Sequence, residues 1–307
     1  MKSVLLTGAT GLIGSCAIKP LIERGFKVHA VTSRTIVPQS VENLIWHRAN
    51  LLDFAETESL LETVRPTHLL HFAWYMHHGQ AWHAVENLDW LGASLQLVKI
   101  FNKFGGKRLV ICGTVSEYDN TGNKPLSEYK SKLIPDSLYG TAKKALFETA
   151  EKYVEKTDLS FAWGRAFFQY GKNEAPNRLV ASVACSLLKG DRAKTSHGNQ
   201  IRDYMCADET AAAFASLLDS GVKGAVNIAS GEARTIKEIA LEIASLLGKS
   251  ADEIEFGAIP VSPTEPPFIV ADITRLQGEV RWQPSKSFSD NLKETVNWWK
   301  ENLKNEV

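Results

Sequence analysis

No surplus of charge of either sign exists in this chain, since 35 Lys and Arg balance 35 Asp and Glu over 307 residues. A nucleic-acid or anionic-membrane partner shows as a basic excess, so neither is expected, although single anion sites remain open. No apolar run approaches the length that spans a bilayer, and no basic start followed by an apolar core marks a secretory leader. Cysteine is scarce. Cys16, Cys112, Cys185 and Cys206 are scattered among small and apolar neighbours without a Cys-x-x-Cys, so buried, reduced thiols and a cytoplasmic protein are expected. His77, His78 and His83 lack a helix-spaced pair with an acidic partner, so no metal is expected. The stretch YMHHGQAWHAVEN reads instead as an aromatic loop beside a pocket.

What is present is ordinary globular composition, 44% hydrophobic and 23% charged, with length enough for one large or two intertwined domains. Strand-like and helix-like segments alternate through the first half. Apolar or β-branched runs at 3–7, 27–32, 44–48, 68–72, 108–112 and 160–165 read as strands. Helical spacing runs over 14–24, 55–64, about 84–104, and from near Tyr139 onward. Arg65-Pro66 ends the second helix, because the residue before a proline avoids helical geometry. Strands separated by helices predict an α/β fold, a doubly wound parallel sheet with right-handed crossovers. Beyond Arg165 the alternation weakens. Residues 1–165 are therefore read as a dinucleotide-binding domain, and 166–307 as mainly a smaller substrate lobe with some segments returning to the first.

The dinucleotide expectation rests on Thr7-Gly8-Ala9-Thr10-Gly11-Leu12-Ile13-Gly14, which follows the first strand and opens the first helix. Here Gly8 permits a tight turn, Gly11 lets backbone approach a pyrophosphate, and Gly14 lets the helix pack on the strand. The helix N-terminus supplies free N–H groups and partial positive charge. Thr10, Leu12 and Ile13 belong to the same site. At the end of the second strand, where an acid would bind the ribose of NAD, stand Ser33 and Arg34. An arginine fork beside a hydroxyl suits a 2′-phosphate, which favours NADP(H) and leaves NAD(H) as the alternative.

A second signal is Tyr139-Gly-Thr-Ala-Lys143, whose spacing puts the phenol and the ammonium on one helical face. A nearby ammonium is expected to lower the phenol pKa. The spacing of the opening glycines, Tyr139-x-x-x-Lys143 and the segment VICGTVSEY ending at Tyr118 together resemble the extended short-chain dehydrogenase/reductase superfamily. The branch resembled is that of the nucleotide-sugar epimerases, dehydratases and reductases, and the resemblance covers nearly the whole chain. It implies a Rossmann-type fold with a smaller C-terminal substrate-binding lobe, and Thr114, Tyr139 and Lys143 as catalytic residues, with Ser116 a substitute for Thr114. It also implies that Tyr139 and Lys143 reach the cofactor, along with Asn50, Leu51, Phe72 and Ala73. Asn87, inside the long helix, matches a position whose amide braces the core. Substrate contacts are implied for Trp74, Thr114, Ser116, Phe168, Arg178 and Arg202. Phe168 replaces the family's usual Asn, and Arg202 matches a diphosphate-binding arginine whose alternative role is a structural pair with Asp203.

Val115 and Ser116 stand where dehydratases of this group carry their acid pair, and Glu117 is out of register, so hydroxyl elimination is not expected. The first reading is an NADPH-dependent reductase of a 4-keto-6-deoxy nucleotide sugar. A 4-epimerase that holds its cofactor tightly is the alternative, and a non-catalytic, cofactor-binding regulator is the third. The resemblance further implies a homodimer, with helices at about 84–104 and 139–156 paired across a twofold.

Overall fold

A computed structural model describes residues 2–77 and 79–303, so His78 lies outside the described residues. The first half alternates as the pattern predicts: β1 Lys2–Thr7, α1 Leu12–Glu23, β2 Phe26–Thr32, β3 Leu44–Arg48, α2 Phe54–Val64, β4 His68–His71, α3 Glu86–Lys103, β5 Arg108–Thr114, α4 Leu138–Val154 and β6 Ser160–Ala166. Local chemistry sets the ends. Asp53 caps α2 by accepting from the N–H groups of Ala55 (2.8 Å) and Glu56 (3.1 Å). Arg65 closes it in the left-handed region, φ 43°, ahead of Pro66. α1 begins at Leu12, two residues before the expected start, because Gly11 is already extended as its N-cap.

The second half adds shorter elements: β7 Phe168–Tyr170, α5 Leu179–Lys189, β8 Ala193–Lys194, β9 Ile201–Arg202, β10 Tyr204–Cys206, α6 Ala207–Leu218, β11 Gly224–Ile228, β12 Arg234–Thr235, α7 Ile236–Leu246, β13 Ile254–Glu255, β14 Phe268–Ile269, α8 Thr274–Gly278 and α9 Phe288–Asn302.

Seven strands form the central sheet in the order β3-β2-β1-β4-β5-β6-β11, every pair parallel. This is a Rossmann-type order extended by β11, a strand from far down the chain. Alternate residues of one strand face opposite layers. Val4 and Leu6 join Ala17 and Leu21 of α1 and Phe214 of α6 on one face. Leu5, Leu69 and Leu109 join Leu61, Leu97 and Leu146 of α2, α3 and α4 on the other. With both faces covered, the middles of β1 and β5 are unbroken apolar runs, Val4-Leu5-Leu6 and Leu109-Val110-Ile111, and each fully buried leucine contributes about 2 kcal/mol. A separate cluster joins α5, α7 and α9 around Ile239, Leu292 and Trp299. None of the four cysteines forms a disulfide; Cys185 and Cys206 are buried as expected, whereas Cys16 and Cys112 are only part-buried.

β11 is tied in by its Asn227, which has no solvent exposure. Its Oδ1 accepts from the Tyr118 hydroxyl (2.8 Å), and its Nδ2 donates to the carbonyls of Leu126 (2.8 Å) and Asp272 (3.1 Å). Replacing Asn227→Ala strands a buried hydroxyl and two carbonyls. Urea unfolding is expected to show a loss of about 3 kcal/mol; a loss near zero would mean that these bonds do not hold β11.

Candidate active site at the carboxyl edge of the sheet

In open parallel sheets, ligands bind beyond the carboxyl ends of the strands where the order reverses, and here that is the β1–β4 boundary. Gly8 sits there with φ +67°, and a Cβ on it would lie 2.8 Å from the Ala73 nitrogen and 2.9 Å from the Phe72 carbonyl carbon. Gly14 is tighter, since its Cβ would lie 2.1 Å from the Gly8 oxygen. Both must be glycine. Gly11 closes the turn by donating to Gly8 O (2.9 Å) and caps α1 without a side-chain hydrogen bond, and the first turn of α1 carries no acid. The first-turn N–H groups of Leu12, Ile13 and Gly14, next to Thr10, thus fit a dinucleotide pyrophosphate. Ser33 and Arg34 lie exposed just beyond β2, the neighbour of β1, and Asn50 and Leu51 follow β3, with Asn50 exposed and Leu51 buried. Phe72 turns its ring onto Phe214 (centroids 4.9 Å apart), so its backbone, not its ring, borders the glycine loop.

β5 carries Thr114 to the same edge, and α4 brings Tyr139 and Lys143 on successive turns of one buried face. Thr114 caps the short 3₁₀ turn Val115–Glu117, its Oγ1 accepting from Ser116 N–H (3.2 Å) and donating to Ser116 Oγ (3.3 Å). Gly140 fits this turn against α4, because a Cβ there would lie 2.3 Å from the Ser116 oxygen. That requirement follows from tertiary packing; only the glycine inside a helical pattern signals it in the sequence.

The electrostatics correct one expectation. Lys143 donates to the Cys112 carbonyl (2.9 Å) and sets its ammonium 3.8 Å from the centroid of Trp74, instead of pulling down the Tyr139 phenol. Burial pushes that phenol above its ordinary value, and the Thr114 hydroxyl draws it partly back. Burial also pulls Lys143 down to about 8. Around the phenol stand aromatic edges, Trp74 at 6.4 Å and Trp82 at 5.5 Å between centroids. Tyr139 N–H donates to the Trp82 carbonyl (3.0 Å), so the aromatic loop does lie against the site. Its His77 packs on the ring of Tyr75 (5.3 Å). Asn87 orients Trp74, accepting from its indole N–H (2.8 Å) while donating to the carbonyls of Ala81 (2.7 Å) and Ala84 (2.8 Å).

On the substrate side, Phe168 lies between Arg202 (5.6 Å) and Tyr204 (5.3 Å) on the wall of a pocket of about 280 Å³. The charge of Arg178 reaches Tyr139, Tyr204 and Glu174, and burial pushes Glu174 up to about 7. Arg202 does not pair with Asp203. Asp203 accepts from Ser230 N–H (2.9 Å), Gly231 N–H (2.9 Å) and Ala271 N–H (3.2 Å), while Arg202 pairs with Glu265. Glu265 and Glu174 escape sequence reasoning because neither belongs to a recognisable spacing.

The chain belongs to the NAD dependent epimerase/dehydratase family, whose pattern matches residues 4–229. It is 26% identical to a UDP-glucuronate 4-epimerase of Thermodesulfobacterium geofontis, over 99% of this chain and 98% of that protein. It is also 26% identical to GDP-L-fucose synthase 1 of Arabidopsis thaliana, over 98% of this chain and 94% of that protein. Among solved structures, the UDP-glucose 4-epimerase of Thermus thermophilus, a complex with NAD, superposes with a TM-score of 0.82 at 25% identity, over 97% and 99% of the two chains.

His71 lies beneath this edge, its Nδ1 bonded to Thr7 Oγ1 (2.7 Å) and its Nε2 to Ser94 Oγ (2.9 Å). Burial, with Lys143 adding to it, pulls the imidazole down to about 3. The unfolded chain takes up that proton near pH 6.5 and the folded chain only near 3, so stability falls as pH drops through this window. Relative to a His71→Gln variant, the wild type is expected to lose extra stability as pH falls below about 6.5, at a rate that approaches about 1.4 kcal/mol per pH unit between about 5.5 and 4. Chemical denaturation at stepped pH checks this, and parallel slopes would remove His71 from the account.

Proposed function

We propose that this protein is a nicotinamide-dependent oxidoreductase of a nucleotide sugar that reduces a 4-keto-6-deoxy sugar at C4. The observation that carries the reading is the convergence of Thr114, Tyr139 and Lys143 beside a glycine loop that fits a pyrophosphate. When bound, the reduced nicotinamide supplies the hydride. The first turn of α1 holds the pyrophosphate through its backbone N–H groups. Tyr139 gives its proton to the oxygen at C4, and Thr114 orients that oxygen by a hydrogen bond. Burial keeps the phenol protonated, the form a donor needs, whereas oxidation of a hydroxyl would need the phenolate. Lys143, charged below about pH 8, would hold the cofactor ribose through its ammonium.

Elimination of a hydroxyl is disfavoured, because Val115 cannot carry a proton and Glu117 is wholly buried against Arg165. The second reading is a 4-epimerase, favoured by the names of the similar epimerases. α3 and α4, which pack side by side, are the elements through which a homodimer would form.

Turnover with NADPH or NADH across a panel of 4-keto-6-deoxy and 4-hydroxy nucleotide sugars tests the reading. Net consumption of reduced cofactor is expected; interconversion of hydroxy sugars without net consumption would mark an epimerase, and no turnover would leave a non-catalytic binder. In the same assay Tyr139→Phe is expected to lower kcat by at least about 100-fold while dinucleotide affinity is unchanged. Retained activity would refute the proton-donor role. The exposed Arg34 beside Ser33 supports NADP(H) over NAD(H). Arg34→Asp is expected to turn the cofactor preference toward NADH, and an unaltered kcat/KM ratio would show that this arginine reads no phosphate.

A further inference from the structure

Arg202 and Glu265 meet on the wall of the 280 Å³ pocket that also presents Phe168, Tyr204, Leu179 and Ile236. The two partners differ in access: the Arg202 side chain is 4% exposed and that of Glu265 is 40% exposed. Arg202 spends Nη1 on the Ile201 carbonyl (2.9 Å) and Nη2 on Glu265 Oε1, with its guanidinium near the Phe168 ring. Backbone pairing sets the meeting. β14 runs parallel to β9 with Phe268 opposite Ile201 and Ile269 opposite Arg202, so the residues just before β14 pass alongside the arginine. Pro266 and Pro267 stiffen that approach, and Glu265 N–H closes a turn on Ser262 O (2.9 Å). The backbone is held while the carboxylate has solvent on its far side.

A guanidinium beside an aromatic ring, in a pocket that presents both apolar side chains and the polar Ser196, Gln200 and Lys194, is suited to a phosphate group, yet here a carboxylate of the same chain already occupies it. A diphosphate offers more charge and more acceptor oxygens than one carboxylate, and it repels that carboxylate at close range. We propose that Glu265 is a counter-ion latch on Arg202, displaced into solvent when the diphosphate of a nucleotide arrives, and that it thereby sets the affinity of the pocket for phosphate-bearing ligands. This rests on the nucleotide-sugar reading above. An anion without a base to fill the pocket gains only the guanidinium and the solvent-screened ammonium of the exposed Lys194 and does not displace the latch, whereas a nucleoside diphosphate gains the apolar part of the wall as well.

Calorimetric titration of UDP, dTDP, GDP and inorganic pyrophosphate into the wild type, Glu265→Gln and the double variant Arg202→Gln/Glu265→Gln tests the latch. The Glu265→Gln protein is expected to bind its preferred nucleoside diphosphate about tenfold more tightly than the wild type, the scale of one lost like-charge contact, and to acquire pyrophosphate binding. The double variant is expected to lose both gains. Unchanged NADPH affinity in all three proteins reports an intact fold. Equal or weaker nucleotide binding by Glu265→Gln would overturn the latch, as would gains that survive loss of Arg202, or no binding of any nucleotide to any of the proteins. The nucleotide-sugar reading stands or falls separately, on turnover.

Discussion

The site depends on one buried ion pair. Glu117 and Arg165 have no side-chain exposure, and Arg165 Nε donates to Glu117 Oε2 at 2.7 Å. A carboxylate taken out of water is tolerable only when its oxygens are filled. Here they also accept from the Trp163 indole (2.9 and 3.1 Å) and from Thr114 N–H (2.8 Å). Arg165 Nη2 finds no hydrogen-bond partner among the described residues, and the ring faces of Tyr118 (4.9 Å) and Phe147 (5.0 Å) flank the guanidinium. The residue that fixes Thr114 is therefore the acid that stands three positions beyond it, fully engaged and closed to chemistry. Gly113 belongs to the same constraint, because a Cβ there would lie 2.0 Å from the Trp163 indole nitrogen.

From this pair the order spreads outward. Arg165 Nη1 donates to the Tyr118 hydroxyl (3.3 Å), which donates to Asn227 of β11. Asn227 N–H donates to Glu128 (2.8 Å), and its side chain reaches the loop at Leu126 and the segment at Asp272. A threonine on β5 is thus oriented by residues from the far half of the chain. The rigidity that a proton donor and its hydroxyl partner need comes from this polar network as much as from the apolar layers around it.

The sequence carries the parts of this design that are local or periodic. The two faces of β1 are written in Val4, Leu5 and Leu6, and the glycine loop and the Tyr139–Lys143 spacing announce the edge they occupy. What it does not carry is tertiary. Nothing local says that an apolar run at 224–228 will take the open side of β6, that Trp82 will lie against Tyr139, or that Glu265 will reach Arg202. The direction in which the Tyr139 phenol moves is hidden for the same reason. Spacing alone suggests an ammonium aimed at the phenol, while burial of both groups and the carbonyl of Cys112 decide where the charge goes.

The late arrival of β11 carries a consequence for biosynthesis. Until Gly224–Ile228 has left the ribosome, β6 offers a bare row of N–H and C=O groups on a strand that includes Phe161 and Trp163. The emerging polypeptide can form its first six strands but cannot seal them, and Glu128 and Tyr118 wait in water for the asparagine that later engages them. Such a half-made sheet leaves an edge open to pairing with neighbouring chains until β11 covers it.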